Sequence, residues 1–147
     1  MVLDGQAAGG NQGNDFRLMR NEPVTKLDLW WGSGSSDAQN YTVLKGIKVH
    51  WHSGSEATGT TPEHEQERIL HTSYTFSNGG REPLEWMDIY GHGRVDSIRF
   101  VTKDKDFFTV GGIGGQKTIQ PAKNKLLYGF YGKSHSDIVQ LGAIFDH

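Results

Sequence analysis

The chain has 147 residues, a formal net charge of −2 at pH 7, 20 glycines and no cysteine. This length suits one domain with one core, while the charge gives no footprint for nucleic acid and the lack of cysteine excludes disulfides and thiolate chemistry. Because no apolar run of about 18 residues and no signal peptide can be recognised, we expect no membrane insertion and a cytosolic protein, or one secreted by another route.

Short runs with apolar residues two positions apart, separated by glycine, serine or asparagine, predict an all-β fold. The predicted strands, in chain order, are Lys26–Trp31, Gly46–His52, Arg68–Phe76, Glu85–Tyr90, Ser97–Thr102, Leu126–Tyr131 and Val139–Phe145. In the first of them the adjacent Trp30 and Trp31 must point to opposite faces of the strand. After the second, the polar tract Ser53–Glu67 predicts an exposed loop.

Three segments of the chain share one pattern, and we number them as the first, second and third unit. They are LDLWWGSGSSDAQNYTVLKGIKVHW, MDIYGHGRVDSIRFVT and LLYGFYGKSHSDIVQLGAIF. Each is an apolar strand, a glycine, a loop and a second strand, in which Ile47, Ile98 and Leu141 take the same place. This shared pattern predicts three similar units around an axis. The alternative is that any two hairpins look alike to this extent. The N-terminal AAGGNQGNDF would supply the last loop if the chain closes on itself.

The segments GHGRVDSIRFVT and LLYGFYGKSHSDIVQLGAIF resemble the jacalin-related lectins, and LKGIKVHW extends the resemblance more weakly. The resemblance implies a single jacalin-like lectin domain over residues 1–147. Its fold would be a β-prism I: three four-stranded antiparallel Greek-key sheets with pseudo-threefold symmetry. The resemblance also implies reversible binding of mannose-, glucose- or galactose-type glycans or glycoproteins, without metal, cofactor or catalysis, often as a homodimer or higher homo-oligomer.

In that family the sugar lies between a glycine-rich loop that donates N–H groups and a Gly-x-x-x-Asp loop whose aspartate accepts from sugar hydroxyls. Here the motif falls on residues 135–139, where histidine replaces the glycine and Val139 replaces the aspartate. Valine accepts no hydrogen bond, which costs roughly 1–3 kcal/mol for each hydroxyl left without a partner. Asp137 could substitute, or it is only a turn residue. This second candidate site consists of Gly9, Gly10, His135, Ser136 and Asp137.

The second unit keeps a carboxylate in the place of Val139, because the repeat puts Asp96 there, whereas the first unit has Lys45. By symmetry the loop that faces Asp96 is GGIGG, residues 111–115, which could form a cradle of N–H donors. The alternative is that Asp96 forms a surface ion pair with Arg94 or Lys103. The first candidate site consists of His92, Gly93, Arg94, Asp96, Gly111, Gly112, Gly114 and Gly115.

Other functions stay open at this point. A scaffold with a decayed sugar site would serve as a protein-interaction or oligomerisation module. A small enzyme would use His92, Asp96, His135 or Asp137 as acid–base groups, but no catalytic constellation can be read from the spacing, and we expect no enzyme. His50 and His52 share one strand face at a spacing that zinc can use, yet a third ligand is missing, and a solvated face is favoured.

Overall fold

In a computed structural model, described for residues 1–64, 66 and 68–147, the chain is built almost entirely from β-strands. The helical elements of these residues are two three-residue 3-10 turns, Ser36–Ala38 and Asn78–Gly80. No helix in the described part of the chain is therefore long and apolar enough to cross a membrane. The predicted all-β class is confirmed.

The strands form three antiparallel sheets, and the central hairpin of each sheet comes from one of the three units. Sheet 1 has the order β6-β5-β4-β7 and contains β4 (Val24–Ser33), β5 (Thr42–Trp51), β6 (Gly54–Gly59) and β7 (Ile69–Thr75). Sheet 2 has the order β10-β9-β8-β11 and contains β8 (Leu84–Gly91), β9 (Val95–Thr102), β10 (Phe107–Gly111) and β11 (Gln116–Gln120).

Sheet 3 joins the two ends of the chain. Its strands are β1 (Leu3–Asp4), β2 (Ala8–Gly9), β3 (Asn14–Met19), β12 (Leu126–Ser134) and β13 (Ile138–Asp146). The order is β1-β13-β12-β3, and β2 also pairs with β13, so that one outer strand is split into two short pieces. The chain therefore closes on itself, as the sequence predicts.

The inward faces of the three sheets pack on one hydrophobic core. Ile47, Ile98 and Leu141 are all fully buried in it, which confirms that they occupy equivalent places. Each sheet flanks a central hairpin with two outer strands, which is the Greek-key order; the outer strands follow the hairpin in the chain in sheets 1 and 2 and precede it in sheet 3. The β-prism with pseudo-threefold symmetry is confirmed.

Three segments predicted as loops contain edge strands instead. The tract Ser53–Glu67 holds β6, which pairs with β5, while its Glu65 and Glu67 lie outside the described residues. The side chains of β6 are exposed at nearly every position, so the sequence carries no apolar alternation there. The N-terminal segment AAGGNQGNDF likewise holds β2 and the start of β3, and FTVGGIGGQKTIQ, which follows the second unit and is also predicted as a glycine-rich loop, holds most of β10 and all of β11.

Trp30 and Trp31 point to opposite faces of β4, as predicted. Trp31 packs against the core. Trp30 lies on the outer face, where its Nε1 donates to the Pro62 carbonyl at 3.1 Å and its ring stacks on His71 at 4.7 Å between centroids. The outward tryptophan is thus covered by its own chain.

Candidate functional site

A cavity of about 550 Å³ lies at one end of sheet 2, between the β8–β9 turn, the β10–β11 loop and the loop that joins β4 to β5. Two of the three units therefore contribute to its wall. The lining residues are Asp37, Ala38, Tyr41, Val43, His92, Gly93, Arg94, Asp96, Gly114, Gly115 and Gln116.

Asp96 provides the more buried of the two carboxylates that line this cavity, and the other, Asp37, is exposed and paired with Arg94. Its residue is only 9% exposed, and within the described part of the chain no donor forms a hydrogen bond or ion pair with its carboxylate. Burial raises the pKa of Asp96, while the nearby His92 acts in the opposite direction. The alternative of a surface ion pair with Arg94 or Lys103 is wrong, because Arg94 binds other carboxylates. Asp96 is thus a largely buried side chain whose carboxylate opens onto the cavity without a protein donor.

The glycine-rich loop lies directly against this carboxylate. A Cβ atom on Gly115 would lie 2.7 Å from Asp96 Oδ1, and one on Gly114 would lie 3.0 Å from Oδ2. Gly115 also has a φ of +86°, a region that favours glycine. Gly111 and Gly112 have a different role, because Gly111 ends β10 and Gly112 N–H donates to the Asp96 carbonyl at 2.8 Å. Of the four predicted glycines, two line the cavity and two support the loop.

Arg94 lines the cavity but is bound to its walls. Its Nε donates to Asp137 Oδ2 at 3.1 Å, its Nη2 to Asp37 Oδ1 at 3.1 Å and its Nη1 to the Gly93 carbonyl at 3.2 Å. His92 begins the same turn, with its backbone N–H donating to the Arg94 carbonyl at 2.9 Å, and its side chain is exposed. Arg94 thus links the second unit to the first and the third.

Asp137 is fully buried and its carboxylate is saturated by protein donors. Oδ2 accepts from Ser35 N and Ser35 Oγ, both at 2.9 Å, and from Arg94, while Oδ1 accepts from Lys45 Nζ at 2.5 Å. Burial alone would raise the pKa of Asp137, but the hydrogen bonds from Lys45 and Ser35 outweigh it and hold the pKa below its ordinary value. The structure therefore contradicts Asp137 as a sugar acceptor.

The other members of the second candidate site do not surround a free acceptor. Gly10 N–H donates to the Val139 carbonyl at 2.8 Å, and Gly9 pairs with β13. His135 and Ser136 are exposed in the β12–β13 turn, and His135 Nδ1 accepts from Asp137 N–H at 3.1 Å. Val139, which replaces the expected aspartate, is fully buried. We therefore favour the first candidate site.

Five lining residues were missed by the sequence reasoning. Asp37, Ala38 and Tyr41 belong to the long β4–β5 loop, Val43 lies at the start of β5, and Gln116 begins β11. The length of GSGSSDAQNY, compared with the short turns of the other two units, is a signal that this loop reaches towards a neighbouring unit.

His50 does not form a metal pair with His52. On the outer face of sheet 1, His50 Nε2 and His71 Nε2 lie 2.5 Å and 2.7 Å from the two oxygens of Asp28, next to a second cavity of about 460 Å³. His52 is exposed beyond the end of β5. Among the residues described, no group of three or more histidine, aspartate or glutamate side chains is arranged to hold a metal ion.

The chain is similar to a known domain family in sequence and to several solved proteins in structure. A model of the jacalin-like lectin domain matches residues 5–144. The lamprey immune protein is similar in structure with a TM-score of 0.77 and 19% identity over 98% of this chain, which spans 44% of that protein's chain. Malaysian banana lectin has a TM-score of 0.73 and 15% identity over 99% of both chains. Artocarpin, solved in complex with mannotriose, has a TM-score of 0.73 and 16% identity over 100% of this chain and 97% of its own. No curated protein sequence matches this chain.

Proposed function

The chain belongs to the family of jacalin-like lectin domains, and we propose that it binds carbohydrate reversibly in the cavity at the end of sheet 2. The observation that carries the proposal is the Asp96 carboxylate, which is buried, faces the cavity and lacks a protein donor. Partial burial disfavours the ionised form of Asp96, and a ligand that donates hydrogen bonds to the carboxylate offsets this cost. Sugar hydroxyls are such donors.

The cavity suits a pyranose ring in three respects. Asp96 accepts from two neighbouring hydroxyls, since a carboxylate has two oxygens with two lone pairs each. Gly114 and Gly115 let the backbone approach the ring, and no backbone carbonyl of the described residues accepts from their N–H groups. Tyr41 is 64% exposed at the cavity and offers an aromatic face to the apolar side of the sugar.

The similar structures indicate which sugars should be tested first. Artocarpin was solved with mannotriose, and the lectin from champedak is described as mannose-binding. Their sequence identity to this chain is 16% and 14%, and their specificity does not transfer at that distance. We propose mannose- or glucose-type glycans as the first ligands to test and galactose-type glycans as the second.

We propose recognition without metal and without catalysis. Of the four groups considered for an enzyme, Asp137 is saturated by four hydrogen bonds and His135 lies in a separate turn. His92 and Asp96 share the cavity, where an imidazole beside a carboxylate suits ligand binding as well as proton transfer. The proposal therefore assigns them to the binding of hydroxyls.

A titration of the purified protein with methyl glycosides, supported by a glycan array, tests the proposal. We expect the wild type to bind at least one sugar with a Kd in roughly the micromolar to millimolar range. Asp96→Ala should weaken this binding about tenfold or more, because the hydroxyls lose their acceptor. Asp104→Ala removes an exposed carboxylate outside the cavity and should leave binding unchanged. Undiminished binding by Asp96→Ala would reject this site, and no binding to any glycan would reject the lectin function.

A further inference from the structure

The β4–β5 loop, residues 34–41, is the wall of the cavity that comes from the first unit. It contributes Asp37, Ala38 and Tyr41 to the lining. Of the side chains in this described segment, only that of Ala38 is buried. A loop with so few buried apolar contacts opens easily on its own, so its position against the cavity depends on polar contacts with the other units.

Every hydrogen bond that joins this loop to another unit, within the described residues, involves Asp137 or Arg94. Ser35 N and Ser35 Oγ both donate to Asp137 Oδ2 at 2.9 Å. Arg94 Nη2 donates to Asp37 Oδ1 at 3.1 Å, and Nε of the same guanidinium donates to Asp137 Oδ2 at 3.1 Å. The other hydrogen bonds of the loop stay within the first unit. Asp137 therefore holds the loop twice, once directly and once through Arg94.

The two attachments of the loop differ in burial. Asp137 is fully buried and the Arg94 side chain is 14% exposed, whereas the side chain of Asp37 is 88% exposed. Hydrogen bonds to a buried carboxylate are strong, while an ion pair in contact with water contributes little. The attachment at Asp137 is thus the one that fixes the loop.

Asp137 is itself a rigid point of the fold, and it lies outside the cavity. Lys45 Nζ donates to its Oδ1 at 2.5 Å, and its own N–H donates to His135 Nδ1 at 3.1 Å. The residue is fully buried and is not part of the cavity lining. Asp137 can therefore influence a ligand only through the residues that it holds.

We propose that Asp137 is a positioning residue of the cavity: it holds the β4–β5 loop through Ser35 and Arg94, and so places Tyr41 at the cavity that Asp96 faces. The inference rests on the proposed function. In the third unit the usual place of the ligand carboxylate is taken by Val139, yet this unit still serves sugar binding in the second unit. The site is therefore a composite, in which the second unit supplies the acceptor, the first a wall and the third the support of that wall.

Removal of one hydroxyl group tests the direct attachment. Ser35→Ala deletes one of the two hydrogen bonds from Ser35 to Asp137, and it leaves the 3-10 turn intact because the Ser35 side chain does not cap it. We expect about threefold weaker binding of the methyl glycoside that the wild type binds best. Hydrogen exchange of the amides in residues 35–41, measured by mass spectrometry without sugar, should become faster.

Three further variants frame this result. Asp137→Asn also removes the charged partner of Arg94, so binding should weaken about tenfold. Ser35→Thr keeps the hydroxyl group and should restore both the affinity and the exchange rate of the wild type. Asn40→Ala is the matched control, since it removes an exposed side chain of the same loop that forms no hydrogen bond within the described residues. It should change neither measurement.

A double-mutant cycle with Tyr41 separates positioning from a general loss of structure. Tyr41→Ala alone should weaken binding, because the aromatic face is lost. In the Tyr41→Ala background, Ser35→Ala should weaken binding little further, because the loop no longer has a ring to place. If the two effects multiply instead, Ser35 acts by another route and the positioning role is overturned.

The exchange experiment keeps this inference distinct from the proposed function, because it needs no ligand. If the wild type binds sugar and Ser35→Ala binds it equally well, the positioning role is overturned while the lectin function stands. If the wild type binds no sugar, the proposed function fails. The attachment of the loop is then judged by exchange alone, and an unchanged rate over residues 35–41 in Ser35→Ala and Asp137→Asn overturns it as well.

Discussion

The β8–β9 turn and the β12–β13 turn share one backbone hydrogen bond, from His92 N to the Arg94 carbonyl in the first and from His135 N to the Asp137 carbonyl in the second. Their carboxylates nevertheless have different surroundings. Asp96 faces a cavity without a protein donor, whereas Asp137 is buried and accepts four hydrogen bonds. Asp137 lies two positions earlier in its turn than Asp96 does in the equivalent turn. This shift places Asp137 where it stabilises the fold, whereas Asp96 is available to a ligand.

Equivalent positions of the three units have therefore diverged together. Arg94 and Asp137 take the same place in the second and third units, and they pair with each other. Lys45 takes the place of Asp96 in the first unit, and it pairs with Asp137 as well. The pseudo-symmetry gives three similar turns, all three of which contribute to a shared ion network, and the second also keeps a carboxylate that faces the cavity.

Removal of the buried carboxylate should have the largest effect. We expect Asp137→Ala to lower the free energy of unfolding by about 3–5 kcal/mol, because Lys45 and Arg94 lose a buried partner. Urea denaturation measures this change. Asp15→Ala, which breaks an exposed pair, should change the stability little. A loss below about 1 kcal/mol for Asp137→Ala would mean that the network does not hold the three units together.

A methyl group at Gly115 should affect both the cavity and the fold. Gly115→Ala strains a φ of +86° and places a Cβ 2.7 Å from Asp96 Oδ1. We expect a loss of about 1–2 kcal/mol of stability together with weaker sugar binding. Gly93→Ala is the control in the same cavity, since nothing lies within 4 Å of its added Cβ. Equal effects of the two substitutions would contradict this account of the glycine loop.

Asp96→Asn should act on stability with the opposite sign to Asp137→Ala. Because burial raises the pKa of Asp96, its ionised form opposes folding, and the neutral amide should raise the stability by up to about 1 kcal/mol at pH 7. The gain should disappear as the pH falls below the pKa of aspartate in the unfolded chain, where the carboxyl is protonated in both states. A clear loss of stability at pH 7, measured by denaturation, would show that Asp96 is paired in solution.

Asp96 and Asp137 should lose their roles at different pH values as the pH is lowered, and this is the smallest effect that we predict. Asp96 has a raised pKa, so binding that needs its charge weakens as the pH falls through that value. Asp137 has a lowered pKa, so its contribution to stability is complete above the ordinary value of about 3.9 and is lost only as the pH falls through its own, lower pKa. Sugar titrations and circular dichroism over one pH series should show binding lost before the fold. Loss of sugar binding and of the folded state at the same pH would contradict this difference in pKa between Asp96 and Asp137.

The sequence predicts the hairpins of this fold well because the apolar positions of their strands alternate and short polar or glycine-containing turns separate the strands. The equivalence of Ile47, Ile98 and Leu141 is visible in the sequence for this reason. The role of Asp137 is not, since its partners Ser35, Lys45 and Arg94 are 102, 92 and 43 residues away in the chain. The sequence does contain one indication of this role, which is that the first unit has Lys45 at the position where the second unit has Asp96.

The edge strands and the cavity wall were predicted less well. An exposed edge strand such as β6 has no buried side to produce an alternating pattern. The cavity needs the β4–β5 loop of one unit beside the turns of the next, and pseudo-symmetry alone does not say how far a long loop reaches. Asp96 could be found because its neighbours in sequence carry the repeat, whereas Tyr41 belongs to no repeated position.

The split outer strand of sheet 3 has a consequence for the order in which the protein folds. Sheet 1 uses residues 24–75 and sheet 2 uses residues 84–120, so each can assemble from a continuous stretch of chain. Sheet 3 pairs Leu3 with Phe145 and Gly9 with Gln140, contacts that span almost the whole sequence. During synthesis from the N-terminus its outer strand must wait unpaired until the last hairpin has left the ribosome. We therefore expect the closure of sheet 3 to be the last step in the assembly of this domain.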